Sequence, residues 1–403
     1  MINAQTYDIV IKGGQLIDPK NNINELMDIA VKDGKVALIA KNIDEKEGIQ
    51  VVNAQGLYVI PGLVDIHVHV FYGTNADQQY MDGPNAVVPD GFTFRVGVTT
   101  IVDAGSSGWR TFPAFKRQTI DKSQTRVLAF LNIVGEGMRG FPFEQNTKDM
   151  DSKVTSEFAK NNKEIVGIKL AHFEGNDWIG VDRTAEAGRL ADMPVMIDLG
   201  GSTPPLSLEE LFMKHLRPGD IYTHCFAQLA SGRDYIVDIQ TNKVKPFALE
   251  ASKRGIIFDV GYGGISFAYS QAIPAIKSGF YPNSISTDLH IGSMNGAMKD
   301  MLTTMSKFIT MGMDLQSVIK ASTWAPAQEI KHEELGNLSV GSGADIAILN
   351  IRKGKFGLFD YTGTKIETDK KLECEMTIRA GKIVYDLNGI AKPIFVIRKK
   401  SNN

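Results

Sequence analysis

Between residues 61 and 333, eight short apolar runs alternate with amphipathic stretches, which predicts an α/β fold centred on a (β/α)8 TIM barrel. Strand-like segments at both chain ends predict a smaller β-sandwich domain built jointly from residues 1–60 and 334–403. Several of the central runs end in histidine, lysine or aspartate, at the rim where such barrels keep their chemistry.

The N-terminal part offers strands at Asp8–Lys12, Leu16–Ile17, Met27–Lys32, Lys35–Ala40 and Gln50–Asn53. Turns are expected at Lys12-Gly13-Gly14 and at Asp33-Gly34, and an Asp-Gly pair between two apolar alternations is a strong hairpin signal. The C-terminal part offers Ala344–Asn350, Met376–Ala380 and Ile383–Tyr385 around Ala380-Gly381-Lys382. Neither end closes a core alone; packed together they can.

In the central part the expected strands are Leu63–Val70, Thr99–Ala104, Arg126–Ile133, Ile165–Ala171, Pro194–Leu199, Asp220–His224, Gly255–Val260 and Ser284–Leu289. Helical patterns lie between them, among them Asp151–Lys160, Leu206–Leu216 and Ala297–Met311. The loop Phe71–Asp90 is long and rich in Gly, Pro and Asn, which suits a lid or a subunit contact.

Bulk properties exclude several classes of partner. The chain has 403 residues, 43% hydrophobic, with a formal net charge of −2 and no basic stripe. Nucleic acid and anionic membrane are therefore not expected partners, and a small-molecule substrate is. Cys225 and Cys374 are far apart and form no CxxC, so neither a disulfide nor a cysteine-rich zinc site is expected. No apolar run reaches the roughly 18 residues of a membrane span. The first residues, Met-Ile-Asn-Ala-Gln-Thr, show no signal peptide. A cytoplasmic location is the default expectation, with export after signal removal as the alternative.

His67 and His69 lie two apart at the end of the first run, so both imidazoles point to one side of the strand. Two adjacent imidazoles at a strand end are a metal-ligand arrangement. Lys169 ends the fourth run, Asp198 the fifth, His224 the sixth and Asp288 the eighth. Each has an ordinary structural explanation when taken singly: a satisfied core histidine, a lysine paired with Asp198 or Asp288, a carboxylate capping the next helix. Their common place at one rim favours a metal site instead. Lys169 is costly to keep charged inside an apolar strand, and a neutral lysine amine can add CO2 to become a carbamate able to bridge two metals.

With these residues in view, the chain resembles the amidohydrolase superfamily over nearly its whole length. The match rests on Pro61-Gly62-Leu63-Val64-Asp65-Ile66-His67-Val68-His69, Lys169, His224 and Asp288, with Tyr7–Gly14 and Gly341–Ala347 resembling the strands of its β-sandwich. Gly97–Ser106 and Arg217–Phe226 are similar to the dihydroorotase-like amidohydrolase/deacetylase branch. The resemblance implies a hydrolase of acyl esters or amides, and a homo-oligomer. It implies two divalent ions, usually zinc: one on His67, His69 and Asp288, the other on His224 and a fifth-strand ligand, bridged by carbamylated Lys169 and a hydroxide. Asp288 would carry the proton from the attacking water to the leaving group.

One position departs from that pattern. The family usually has a histidine where this chain has Asp198. An anionic oxygen ligand lowers the net positive charge of the centre and shifts preference towards manganese at the second site. Being shorter, Asp198 is a candidate to miss the metal, with His172 or His290 compensating. Tyr262, His290 and His172 are also candidate substrate contacts. A cyclic amidase of the dihydroorotase type would need a cation for a substrate carboxylate, for which Arg110 and Arg139 are the candidates. A catalytically silent scaffold is the rival from outside enzymology.

Overall fold

The computed structural model describes residues 6–73, 85–141, 143–229 and 232–395. Seven parallel strands form one curled sheet in chain order: Leu63–Val68, Val98–Gly108, Arg126–Asn132, Ile165–Phe173, Val195–Leu199, Ile221–Tyr222 and Ile257–Phe258. Residues 284–289 occupy the eighth place. Ser284 bridges Asp259 on one side and Leu289 bridges Val68 on the other, both in parallel, so the ring closes. This segment is irregular because side chains take over much of its ladder. Thr287 N–H donates to the Asp65 carboxylate at 3.0 Å, and Gly261 N–H donates to Ser286 Oγ at 2.8 Å.

Two apolar layers follow from the alternation along the strands. Val64, Ile66, Val102, Phe130, Val166, Met196 and Ile221 cluster with Ala327 and Ile330. Leu63, Ile101, Leu131, Ile168 and Ile197 belong to a second cluster with helix residues such as Phe115, Ala159 and Val181. The expected helix at Asp151–Lys160 runs over Ser152–Lys160, with the Asp151 carboxylate accepting from Lys153 and Val154 N–H as its N-cap. Asp300 likewise starts the helix Met301–Met311, four residues later than the apolar pattern suggests. The expected helix Leu206–Leu216 is only a short turn, Leu208–Glu210, passing into a wider π turn over Leu211–His215. Among the described residues no helix is long and apolar enough to cross a membrane.

The strands of both chain ends join in one eight-stranded sheet rather than two separate ones. The expected turn at Lys12-Gly13-Gly14 is instead a bulge inside the strand Tyr7–Asp18, with Gly13 at φ 68° and a register shift between Ile11 and Gly14. The bend lets one strand serve two partners: its first half pairs with Gly48–Asn53 and its second half with Tyr58–Pro61. Asp33-Gly34 does form the hairpin turn, both residues at positive φ. The edge strand Lys35–Ala40 meets the segment that leads into Ile346–Phe359, where Lys35 bridges Gly343. Its long C-terminal hairpin, Ile346–Phe359 with Lys365–Arg379, exceeds the sequence expectation because its outer half is polar and exposed. Within the loop Phe71–Asp90, expected as a lid or subunit contact, residues 74–84 lie outside the described residues.

Gly62 joins sheet to barrel at the tightest point of the connection, donating its N–H to Asp345 O at 2.8 Å. A Cβ there would lie 2.2 Å from the Oγ1 of buried Thr99. Gly62→Ala should lower unfolding free energy by roughly 1–3 kcal/mol, the usual cost of overpacking, and the added Thr99→Ala change should recover part of it. Chemical denaturation of the single and double variants checks this.

Candidate active site

Three buried imidazoles converge at the barrel's C-terminal rim. The rings of His67 and His69 are 5.5 Å apart and those of His67 and His224 are 5.0 Å apart. Their tautomers follow from what lies behind each ring. Thr223 Oγ1 donates its single proton to Asp259 Oδ2 at 2.7 Å, so at 2.8 Å from His67 Nδ1 it must accept. Ser106 Oγ donates to Asp103 Oδ2 at 2.7 Å and accepts from His69 Nδ1 at 3.1 Å. The Nδ1 of His224 faces the carbonyl of Gly261, which only accepts. All three rings therefore carry a proton on Nδ1, and in its neutral form each presents an Nε2 lone pair to the rim. Burial, with Lys169 nearby, pushes His67 down to about 3, so it is neutral in this role at physiological pH.

These lone pairs meet other acceptors. His69 Nε2 lies 3.0 Å from Asp288 Oδ1, a buried oxygen with no hydrogen bond. His67 Nε2 is 3.8 Å from the same oxygen. His224 Nε2 is 3.3 Å from Asp198 Oδ2. An imidazole lone pair facing a carboxylate oxygen in a buried site is repulsive unless a cation lies between them. One ligand atom from each of His67, His224 and Asp288 falls within a 4.8 Å cluster, and the donor set suits a divalent metal.

Backbone strain accompanies this convergence. His224 (φ 56°), Asp288 (φ 50°) and His172 (φ 49°) are all left-handed non-glycine residues at strand ends. Such a conformation costs about 1–3 kcal/mol each and recurs at functional sites. At His224 it follows a sixth strand that ends at Tyr222, earlier than its apolar pattern.

Lys169 is fully buried, its Nζ 3.4 Å from His67 Nε2 and 3.5 Å from Asp198 Oδ2. Burial alone would raise the Asp198 carboxyl, but His224, Lys169 and His172, in their protonated forms, outweigh it and hold Asp198 well below the ordinary carboxylate range. His172 lies beside this group without replacing it. Its Nδ1 pairs with Glu144 Oε2 at 2.8 Å and its Nε2 is 3.6 Å from Asp198 Oδ2. Burial pulls His172 down, yet Asp198 and Glu144 outweigh it and raise it, and the ring lies between the two carboxylates.

The remaining candidates are placed as follows. His290 caps the helix Ile291–Asn295: its Nδ1 accepts from Gly292 and Ser293 N–H, so the neutral ring carries its proton on Nε2. That makes it a donor near the rim, 6.3 Å from the His69 ring, and not a ligand. Tyr262 turns away from the mouth. Its ring stacks on Phe267 at 4.3 Å and its hydroxyl bonds Phe359 O and Lys307 Nζ, so it is a packing residue rather than a substrate contact. Arg110 is held by Asp149 and Glu136, and Arg139 pairs with Glu136 over the Phe143 ring, so both expected carboxylate anchors are engaged elsewhere. Sequence reasoning missed Thr223, Asp259, Ser106, Asp103, Glu144 and Arg233. Only Thr223, beside His224, and Asp103 and Ser106, in the Gly97–Ser106 run, carried a hint.

A closed parallel barrel whose mouth gathers imidazole lone pairs and carboxylates defines a class: the barrel hydrolases with a metal-binding rim. Comparison with known proteins agrees. The amidohydrolase family model matches residues 269–384. A deacetylase of Brucella anthropi is 34% identical over 340 residues, covering 82% of this chain and 81% of its own. The crystal structure of an adenine deaminase superposes with a TM-score of 0.84 at 28% identity, covering 94% of this chain and 100% of the other. That of a dihydroorotase gives 0.80 at 28% identity, with 94% and 99% covered. The chain belongs to the amidohydrolase superfamily, on its deacetylase and dihydroorotase-like side, and is a hydrolase.

Thr223→Val keeps the shape of the side chain and removes the acceptor behind His67 Nδ1. Zinc affinity should fall by about 10–100-fold, as for other residues that orient a ligating histidine. Competition with a chromogenic chelator measures it.

Proposed function

We propose that this hydrolase cleaves an acyl ester or amide, as a deacetylase does, at a centre of two divalent metal ions. The observation that carries the reading is the acceptor-to-acceptor packing of His69 with Asp288 and of His224 with Asp198. His67, His69 and Asp288 would hold one ion, most simply zinc. His224 and Asp198 would hold the other, where the carboxylate oxygen also suits manganese. Lys169 would bridge as a carbamate: the neutral amine adds CO2, a N–C bond forms and one proton leaves. Its Nζ, close to both His67 and Asp198, supports that position.

Bound ions would acidify a water molecule and polarise the substrate carbonyl. The chain supplies the rest. Asp288, whose Oδ1 has no hydrogen bond to the protein, accepts the proton of the attacking water and returns it to the leaving oxygen or nitrogen. The Nδ1–H groups of His67, His69 and His224 are held from behind, which leaves Nε2 of each neutral ring as its ligand atom. A cyclic ureide with a carboxylate is the less favoured substrate, because Arg110 and Arg139 are already paired.

The test is metal analysis joined to a substrate screen. Acetylated hydroxy acids, N-acyl amino acids and cyclic ureides are offered to enzyme purified with zinc or manganese and bicarbonate. Turnover of an acyl compound supports the reading, and turnover of cyclic ureides alone replaces it with the cyclic amidase. Asp288→Asn should lower kcat by about 10²–10⁴-fold, the range for loss of a general acid–base group, with the protein still folded by circular dichroism. Chelation of the metal should abolish turnover, and adding zinc back should restore it.

A further inference from the structure

The two oxygens of Asp198 face different ways. Oδ2 looks into the rim, 3.3 Å from His224 Nε2 and 3.5 Å from Lys169 Nζ, with His172 Nε2 at 3.6 Å. Oδ1 looks outward to the guanidinium of Arg233, with NH1 at 3.8 Å. Arg233 is only 6% exposed. Its NH2 donates to Tyr222 Oη and to Thr223 O, both at 3.3 Å, and its carbon sits 5.6 Å from the Tyr222 ring. Its Nε has no hydrogen bond. A buried guanidinium with incomplete hydrogen bonding is costly, so its place needs a reason beyond packing. The carbonyl it grips belongs to Thr223, the residue whose hydroxyl sets the His67 tautomer and whose neighbour is His224.

We propose that Arg233 is a positioning residue for the second ion: by holding Oδ1 of Asp198 and the carbonyl of Thr223, it keeps Oδ2 aimed at His224 and the two ligands in register. The proposal rests on the two-ion reading above. A free carboxylate rotates about its Cα–Cβ and Cβ–Cγ bonds, and without an outer partner either oxygen can swing towards Lys169 or His172. A histidine ligand has no second oxygen to restrain, which ties the need for Arg233 to the presence of Asp198. The sign of the effect separates positioning from simple charge. Removing a positive charge on electrostatic grounds alone would tighten cation binding. Removing a positioning group loosens it.

Wild type, Arg233→Met, Arg233→Lys, Asp198→His and the double variant Asp198→His with Arg233→Met are titrated as folded, full-length apoproteins with zinc. Stoichiometry is read by inductively coupled plasma mass spectrometry and each dissociation constant by calorimetry. The second site is also followed by cobalt substitution and its visible spectrum. Wild type should bind two ions. Arg233→Met should weaken the second ion about 10–100-fold and leave the first unchanged, with Arg233→Lys recovering part of the loss. In the Asp198→His background, Arg233→Met should cause no further loss. Second-ion affinity that stays the same or rises in Arg233→Met overturns the proposal alone. So does an equal loss in both backgrounds, which would mean a general structural role. Wild type that binds one ion overturns the two-ion reading and this proposal with it. Should Arg233→Met fail to fold, Arg233→Lys against Asp198→His carries the same comparison.

Discussion

Each rim imidazole has its Nδ1 proton committed to an acceptor behind it, and the character of the whole site depends on that commitment. Were His67, His69 and His224 free to exchange tautomers, each could donate to the carboxylate in front of it, and the rim would be an ordinary hydrogen-bonded network. The supports remove that option: Thr223 is spent on Asp259, Ser106 on Asp103, and Gly261 offers only a carbonyl. With neutral rings, what remains is a group of lone pairs and anionic oxygens, a donor set that suits a divalent ion. Second-layer residues thus decide whether the rim is a metal centre at all.

The same demand explains the irregular parts of the barrel. Strands six, seven and eight are short or broken, while the first five are longer. The short ones carry the heaviest polar load. Asp259 collects hydroxyls from Thr223, Ser284 and Ser286, and Asp65 takes the N–H of Thr287 that a regular ladder would have used. Left-handed turns at His224 and Asp288 then aim the ligands. The ladder is shortest where buried hydroxyls and carboxylates take over its hydrogen bonds.

Asp198 gathers the features that set this chain apart. It sits among Lys169, His172, His224 and Arg233, each within 3.8 Å. Such a surrounding keeps a buried carboxylate ionised. It also makes the residue a junction between the rim, the Glu144–His172 pair and the outer arginine. A catalytically silent scaffold would have no use for that concentration of partnered charge, and membership of a hydrolase superfamily points the same way.

Much was legible from order and spacing. Alternation of apolar runs with amphipathic stretches specified the barrel, because each strand must be apolar on both sides to be buried between plug and helices. The two-residue spacing of His67 and His69 placed them on one face, and Lys169, Asp198, His224 and Asp288 fell at strand ends because barrel geometry leaves few other places for them. What the sequence could not disclose depended on residues distant along the chain. The bulge at Gly13, the retreat of Tyr262 to Phe359, and the pairing of Arg110 and Arg139 are settled by neighbours brought in from elsewhere. Tautomers, too, are absent from any linear pattern, since a proton's place on an imidazole depends on the atom behind it. Residue type and period therefore determined which groups reach the rim. Only tertiary contact decided which way each of them faces and what charge it carries there.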